Sequence, residues 1–306
     1  MASAYGGPEV LHILEVDPGH PGPGQVLLEI RAAGVNPSDW KQYSGVWGTD
    51  PANLPMFLGN EAAGVVLAIG EGVDGFGVGD EVIAYRAPGA YSDRLVVPVE
   101  ALVHKPAAMS WEKAGGLMVA GATAAHTLAA TGVGTGDTVL IHGASGGVGA
   151  MAVQLAKARG ARVIGTGAQV NHEYLTDLGA TPVAYGTGLV DRVRALAPHG
   201  ISAAIDAAGT VEALDTSVAL VKDRHRIATI AGFAYGARLG VQRLGSGPGA
   251  DPGTEVRLGA RERLVRLWEA GKLDVRVGAV YHLADVGRAH RAGIDGRVQG
   301  KIILVP

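Results

Sequence analysis

The sequence predicts a two-domain α/β protein, a β-barrel unit followed by a doubly wound parallel sheet. Three observations carry this expectation. The chain has 306 residues, enough for two domains at a prior of about 150 residues each. Residues 1–108 alternate short apolar runs with Gly/Pro turns, and from about residue 110 strands alternate with helices.

In the first stretch the runs are QVLLEIRAAGV, NEAAGVVLAIG, DEVIAYRA and YSDRLVVP. Short strands with frequent turn signals read as an all-β unit, a partly closed barrel. The segment SWEKAGGLMVAGATAAHTLAATG then reads as a helix with Ser110 as its N-cap. After it come DTVLIHG (strand), GGVGAMAVQLAKARG (helix ended by Gly160), ARVIGTG (strand), HEYLTDLG (helix), TPVAYG (strand) and VDRVRALAP (helix). ISAAIDAAG (strand), TVEALDTSVALV (helix) and RHRIATIAGF (strand) continue the alternation. Such alternation gives a parallel sheet with right-handed crossovers. The tail is a charged amphipathic helix, TEVRLGARERLVRLWEAGKL, followed by further β/α material ending in GKIILVP.

Composition narrows the function. With 47% hydrophobic and 18% charged residues the chain is globular rather than disordered. A net charge of −3 without a basic run argues against nucleic-acid or anionic-membrane surfaces. There is no cysteine, which rules out disulfides, thiolate metal sites and cysteine nucleophiles. The start, MASAYGGPEV, lacks the pattern of a signal peptide, and the uncharged stretch 114–136 reads as a buried helix rather than a membrane span. A cytoplasmic protein is expected.

The segment IHGASGGVG (141–149) places a glycine-rich turn between a strand and a helix. Ala144 takes the first glycine position of the phosphate-binding pattern, Gly146 the second and Gly149 the third. A backbone that approaches a pyrophosphate wants no side chain at Gly146, and a helix packed on its strand wants none at Gly149. The helix N-terminus adds unpaired N–H groups and partial positive charge. The expected contacts are Ala144, Ser145, Gly146, Gly147, Val148 and Gly149. The next strand ends in GTGAQVNHE (165–173), with Thr166 at its tip and no acid before Glu173. NAD enzymes usually carry an acid about 20 residues on, so its absence favours NADPH. Asn171 and His172 are the candidate phosphate partners, since no Arg or Lys stands there. His172 reads equally well as an ordinary exposed helix residue.

With these segments in place the chain resembles a zinc-independent medium-chain dehydrogenase/reductase of the quinone oxidoreductase branch. The matching segments are YGGPEVL (5–11), AAGVNPSDW (32–40), LGNEAAGVV (58–66), VGDEV (78–82), GAYSDRLVVP (89–98), GASGGVG (143–149), AAIDAAG (203–209), RIATIAGF (226–233) and GKIILVP (300–306). The resemblance implies a GroES-like β-barrel catalytic domain (1–110 and 254–306), a Rossmann domain (111–253), an active site in the cleft between them and a homodimer. It places Asn36 near the nicotinamide ribose and Thr123 on the carboxamide. It puts Ala207, Ala208 and Gly209 on the adenosine side, and Ala231, Gly232 and Phe233 by the nicotinamide. Plainer readings stand beside these: a turn at VNPSD, a helix back-bond from Thr123 and strand-end packing for AGF.

The departures bear on the chemistry. Asn60 stands where zinc-dependent relatives have histidine in a GHE motif, and none of the ten histidines is paired at helical spacing, so no metal site is expected. Ala168 and Val170 replace the Ser and Arg that close relatives tend to carry, and Trp47 replaces an active-site tyrosine. Without a Lewis acid, hydride addition to a quinone or an α,β-unsaturated carbonyl fits best, because the substrate delocalises the developing charge itself. Asn36, Lys41, Tyr43 and Trp47, read as one loop, are the supporting candidates, with Tyr43 the candidate proton donor. Glu61 reads as a structural carboxylate rather than a general base. Two other readings remain open: a cofactor-binding sensor or scaffold with little turnover, and a tailoring reductase for one unsaturated biosynthetic intermediate. GSGPGADPG (245–253) is either a flexible lid or a plain linker.

Overall fold

In the computed structural model, which describes residues 1–296 and 298–306, the chain divides into two compact units. One comprises Met1–Val119 and Val275–Pro306, the other Ala120–Asp274. The first stretch contains β1 (Gln25–Val35), α1 (Pro37–Tyr43), β2 (Glu61–Ile69), β3 (Glu81–Tyr85), β4 (Arg94–Pro98), β5 (Leu102–His104) and α2 (Trp111–Gly115). The division falls in the first turn of α3 (Met118–Ala130). The second unit continues with β6 (Thr138–His142), α4 (Gly147–Ala158), β7 (Arg162–Thr166), α5 (His172–Asp177), β8 (Thr181–Val183), α6 (Leu189–Leu196) and β9 (Ala203–Asp206). It closes with α7 (Val211–Leu220), β10 (Ile227–Thr229), α8 (Phe233–Leu239), β11 (Gln242–Arg243) and α9 (Thr254–Glu269). The chain returns to the first unit as β12 (Val277–His282), α10 (Val286–Ile294) and β13 (Lys301–Val305).

The first unit is built on β1. Val26, Leu28 and Ile30 alternate inward along its first half, and residues 32–35 are buried on both faces. One edge of this long strand serves two partners, β4 along residues 25–29 and β13 along 33–35, while its other edge carries β2. The resulting order is β12-β13-β1-β2-β3-β5, with β4 attached to β1. Val26, Leu28, Ala62, Val66, Val82, Ala84 and Val97 fill the core beneath it.

The second unit holds six parallel strands in the order β11-β10-β9-β6-β7-β8. Its central strands are buried along nearly their whole length, as helices on both faces require. The chain runs outward from β6 through β7 to β8, then restarts on the other side of β6 with β9. The carboxyl ends of β6 and β9 therefore flank the point where the order reverses, the usual ligand position in such sheets.

Three expectations are corrected. The helix expected from Ser110 onward is two helices: the Ser110 hydroxyl does cap α2, accepting from Lys113 N, but the helix breaks at Gly116. Gly115 lies so close to β1 that a Cβ there would stand 2.8 Å from Ala32 O. The loop expected at 36–47 contains α1, started by Pro37 and by the Asp39 carboxylate accepting from Asn36 N at 2.8 Å. The strand expected through Phe233 ends at Thr229, because the Thr229 hydroxyl accepts from Ala231 N and Gly232 N and turns the chain into α8. Beside the expected domain boundaries at 110 and 254, the two compact units divide at 119 and 275. Helix α9 groups with the second unit, where Leu264 packs against Gly121 so closely that a Cβ on that glycine would stand 2.8 Å from the leucine side chain.

No helix among the described residues is long and apolar enough to cross a membrane. The residue on which the second unit's turn depends is Gly149: a Cβ there would run into Gly143 O and come within 2.7 Å of Ala144 Cα. Gly149→Ala should destabilise the protein by about 1–3 kcal/mol through overpacking, read as a lower urea midpoint.

Candidate functional site

Between β6 and α4 the chain turns through Gly143, at φ +66°, a conformation that suits glycine. Thr166, at the tip of β7, holds the turn from below: its hydroxyl accepts from Gly143 N at 3.2 Å and its carbonyl accepts from Ala144 N at 3.0 Å. The expected contact residue Thr166 is thus a buried brace for the turn. Gly146 caps α4 without a side-chain hydrogen bond, and Gly146 itself is exposed while Gly147 and Val148 are half-buried. The first N–H groups of α4 are free of any side-chain cap, as an anion site requires.

The loop after β7 meets this turn directly. Asn171 Nδ2 donates to Ser145 Oγ at 3.2 Å, which leaves Asn171 Oδ1 buried without a partner among the described residues. His172 Nε2 is also buried and unpartnered. An unmatched carbonyl oxygen suits a ribose hydroxyl, and an unmatched imidazole nitrogen, in the tautomer that protonates it, suits a phosphate oxygen. At the end of β9, fully buried Asp206 shapes the second wall. Its Oδ1 accepts from Ala208 N and Gly209 N, and its Oδ2 accepts from the Thr229 hydroxyl at 2.7 Å. Burial raises the Asp206 pKa above the ordinary carboxylate range, against these three hydrogen bonds. One carboxylate thereby fixes both the 207–209 turn and, through Thr229, the 231–233 turn. Thr123 is buried in α3.

In the first unit Asn36, Glu61 and Tyr43 belong to a buried hydrogen-bonded network, which Lys41 and Trp47 do not join. Lys301 Nζ donates to Asn36 Oδ1 (2.6 Å), Glu61 Oε1 (2.9 Å) and Val35 O (3.0 Å). Asn36 Nδ2 donates to Glu61 Oε1 and Gly34 O, so both ends of this carboxamide already have partners inside the fold. Glu61 also accepts from Val119 N through Oε2, the structural part expected of it. Asp39 Oδ2 accepts from the Tyr91 hydroxyl at 2.7 Å. The Tyr91 oxygen lies 3.2 Å from His290 Nε2, and the Tyr43 hydroxyl lies 2.7 Å from His290 Nδ1. With Asp39 ionised, the neutral imidazole protonated on Nε2 satisfies all three contacts.

Burial pushes Asp39 up to about 6 and His290 down to about 4. Tyr43, the candidate donor, is buried in a small core with Ala2 and Leu58, and burial raises its pKa, so it is a poor acid there. Lys41 is half-buried, and burial lowers its ammonium pKa; Trp47 is half-buried in the turn after α1. Asp39, Tyr91, His290 and Lys301 escaped sequence reasoning. Asp39 alone carried a local signal, its place three residues after Asn36.

Among the described residues no group of three or more His, Asp or Glu stands where it could hold a metal ion. At the GHE position Asn60 is half-buried, and its carbonyl accepts from Ala87 N.

Residues 22–107 match the family model for the alcohol dehydrogenase GroES-like domain, and residues 147–246 match that for zinc-binding dehydrogenase. A quinone oxidoreductase of Pseudomonas aeruginosa is 34% identical over 99% of this chain and 98% of its own length. The crystal structure of Escherichia coli quinone oxidoreductase complexed with NADPH superposes with a TM-score of 0.86 at 29% identity, covering 100% of this chain and 98% of that one. That of an NAD-dependent alcohol dehydrogenase superposes with a TM-score of 0.87 at 30% identity, over 99% and 98%.

Removing the cation from the first unit's network should be severe. Lys301→Met strands the buried Glu61 carboxylate and should cost roughly 3–5 kcal/mol in urea unfolding, with less loss in the Lys301→Met/Glu61→Gln pair. The pH dependence has two opposing parts. Asp39, raised from 3.8 to about 6, contributes stability that is full below pH 3.8 and is lost as pH rises through 6. His290, lowered from 6.5 to about 4, contributes stability that is full above pH 6.5 and is lost as pH falls toward 4. Asp39→Asn should therefore gain about 1–3 kcal/mol relative to the parent between pH 4 and pH 6, measured by unfolding at each pH.

Proposed function

The chain belongs to the medium-chain dehydrogenase/reductase family, in its quinone oxidoreductase branch, and from that premise we propose that it is an NADPH-dependent reductase of quinones or α,β-unsaturated carbonyls working without a metal. The carrying observation is the turn at residues 143–149. It stands at the switch point of the parallel sheet, has no room for a side chain at Gly149, and opens onto the uncapped N-terminus of α4. Gly146 to Gly149 would receive the pyrophosphate, and Asn171 Oδ1 a ribose hydroxyl. His172 Nε2 is the donor left for a phosphate on that ribose. No carboxylate stands between residues 167 and 172 to repel it, which supports NADPH over NADH.

When bound, NADPH supplies a hydride. The chain's part is to hold its two ends with the 207–209 and 231–233 turns, both fixed by Asp206 and Thr229. A substrate that spreads negative charge over a conjugated carbonyl asks little more than positioning and hydrogen bonding. The absence of cysteine denies the chain the Cys/His ligand set with which zinc-dependent relatives stabilise an alkoxide, so simple alcohol oxidation is disfavoured. A homodimer belongs to the same reading.

Paired fluorescence titrations with NADPH and NADH test the cofactor, and NADPH oxidation with 1,2-naphthoquinone or 9,10-phenanthrenequinone tests the reaction. NADPH should bind more tightly than NADH, and both quinones should be reduced. Equal affinities would overturn the phosphate preference, and loss of binding to both would remove the enzyme. Binding without oxidation across quinones and enones would favour the sensor or scaffold. Gly146→Asp should abolish NADPH binding, at least a hundredfold in Kd, by placing an anion in the phosphate path.

A further inference from the structure

A second buried cluster in the nucleotide-binding unit joins α3, the 245–253 segment and α9. Arg257 Nε donates to His126 Nδ1 at 3.3 Å, and His126 Nε2 lies 3.3 Å from Asp251 Oδ2. The arginine thereby assigns the imidazole proton to Nε2, which donates to the aspartate. Burial and the Arg257 charge lower the His126 pKa and keep the ring neutral. Asp251 Oδ1 accepts from Gly253 N at 2.9 Å and tightens the end of the segment.

One part of this cluster is incomplete. Arg257 is 9% exposed, and its Nη2 is buried with no partner among the described residues. What lies beside Nη2 is Gly245, at φ +135°. A Cβ there would stand 3.8 Å from Nη2 and 3.8 Å from Phe233 Cζ. Gly247 rests on the same ring, where a Cβ would strike Cε2 and Cδ2, and a Cβ on Gly253 would strike the His126 ring. The segment thus lies as a strap across Phe233 and Nη2, pinned at one end by Asp251 on His126. Glycine stands at 247 and 253, where a Cβ would strike the Phe233 and His126 rings.

We propose that Arg257 Nη2 is the hydrogen-bond donor for the carbonyl oxygen of the substrate, which reaches it when the 245–253 strap lifts from Phe233. The assignment rests on the reductase reading and supplies the electrophile that reading lacks. In an enone, hydride forms the new C–H bond at the β-carbon. The C=C π pair moves to the α-carbon and carbonyl, leaving an enolate oxygen, and the nicotinamide is oxidised. Water then protonates the enolate and is left as hydroxide. Arg257 donates a hydrogen bond to the oxygen throughout and does not transfer its proton, because a guanidinium stays charged across the working pH range. His126 and Asp251 are positioning residues: the first holds the guanidinium through Nε, the second holds the strap.

The probe is 4-nitrophenol, whose oxyanion resembles the product enolate or hydroquinone anion and whose visible absorbance reports its ionisation without turnover. The wild-type protein should bind it and ionise it at lower pH than in free solution. Arg257→Met should abolish that shift, and Arg257→Lys, which keeps the charge on a different geometry, should retain part of it. In the NADPH-dependent assay Arg257→Met should lower kcat by about a hundredfold while the Kd for NADPH stays within about twofold. Melting curves establish that each variant is folded, and the lysine variant carries the test if the methionine variant is not. An unshifted 4-nitrophenol titration in the wild type overturns the assignment even if quinones are reduced. So does a loss of NADPH affinity matching the loss of kcat/KM, which would place Arg257 on the cofactor. A shifted titration abolished by Arg257→Met supports the oxyanion site even if NADPH is not oxidised, and in that case the reductase reading alone fails.

Discussion

The ammonium of Lys301, on the last strand, is held by Val35 O, Asn36 Oδ1 and Glu61 Oε1. These acceptors mark the end of β1, the residue that starts α1 and the first residue of β2, so one buried charge gathers three segments distant in sequence. The other Glu61 oxygen reaches Val119 N at the start of α3. A buried ion pair of this kind adds little net stability over an apolar alternative, since desolvation offsets most of the attraction. Its force lies in what it forbids: all three ammonium donors are satisfied in this arrangement, and a displaced β13 would strand a buried charge. The C-terminal strand is therefore a structural part of the first unit, 240 residues away from Glu61 in the chain.

The two units treat their buried polar groups differently. In the first, Lys301, Glu61, Asn36, Asp39, Tyr91, His290 and Tyr43 each have partners, and the chain of contacts runs without a gap. In the second, four buried side-chain atoms have no partner among the described residues: His142 Nε2, Asn171 Oδ1, His172 Nε2 and Arg257 Nη2. His142 is the residue before the glycine-rich turn, and burial pushes it down to about 4, so it is neutral there. Leaving a buried polar atom unmatched costs about 1–3 kcal/mol. Water or a ligand can meet such atoms, and all four belong to the unit that carries the glycine-rich turn.

What could be read from the sequence was what depends on neighbours in the chain. The glycine-rich turn was legible because Gly149 must pack on Gly143 only six residues away, and the parallel sheet because each strand and helix announces itself by periodicity. Short helices were harder. Helix α1 lay hidden in a turn-like VNPSDW, since the carboxylate that starts it is three residues from its partner and Pro37 reads equally as a turn. The strand expected through Phe233 stops at Thr229, whose hydroxyl accepts from Ala231 N and Gly232 N and is itself held by Asp206, 23 residues away. The Lys301–Glu61, Tyr43–His290 and His126–Arg257 contacts span 240, 247 and 131 residues, and no local pattern encodes them.

This bears on which side chains have hydrogen bonds to offer a ligand. The resemblance places Asn36 near the nicotinamide ribose, and Tyr43 is the candidate proton donor of the same segment; in the fold both side chains make buried hydrogen bonds. For Asn36 to bond a ribose through Nδ2 it must release Glu61 Oε1 or Gly34 O, and the first choice weakens the acceptor cage around a buried ammonium. For Tyr43 to give up a proton it must form a phenolate beside buried Asp39, a like charge in a poorly solvated place. The buried side-chain atoms with no partner among the described residues are different ones: His142 Nε2, Asn171 Oδ1, His172 Nε2 and Arg257 Nη2. Residue type nominates candidates for a site, but the hydrogen bonds already made inside the fold decide which of them remain available.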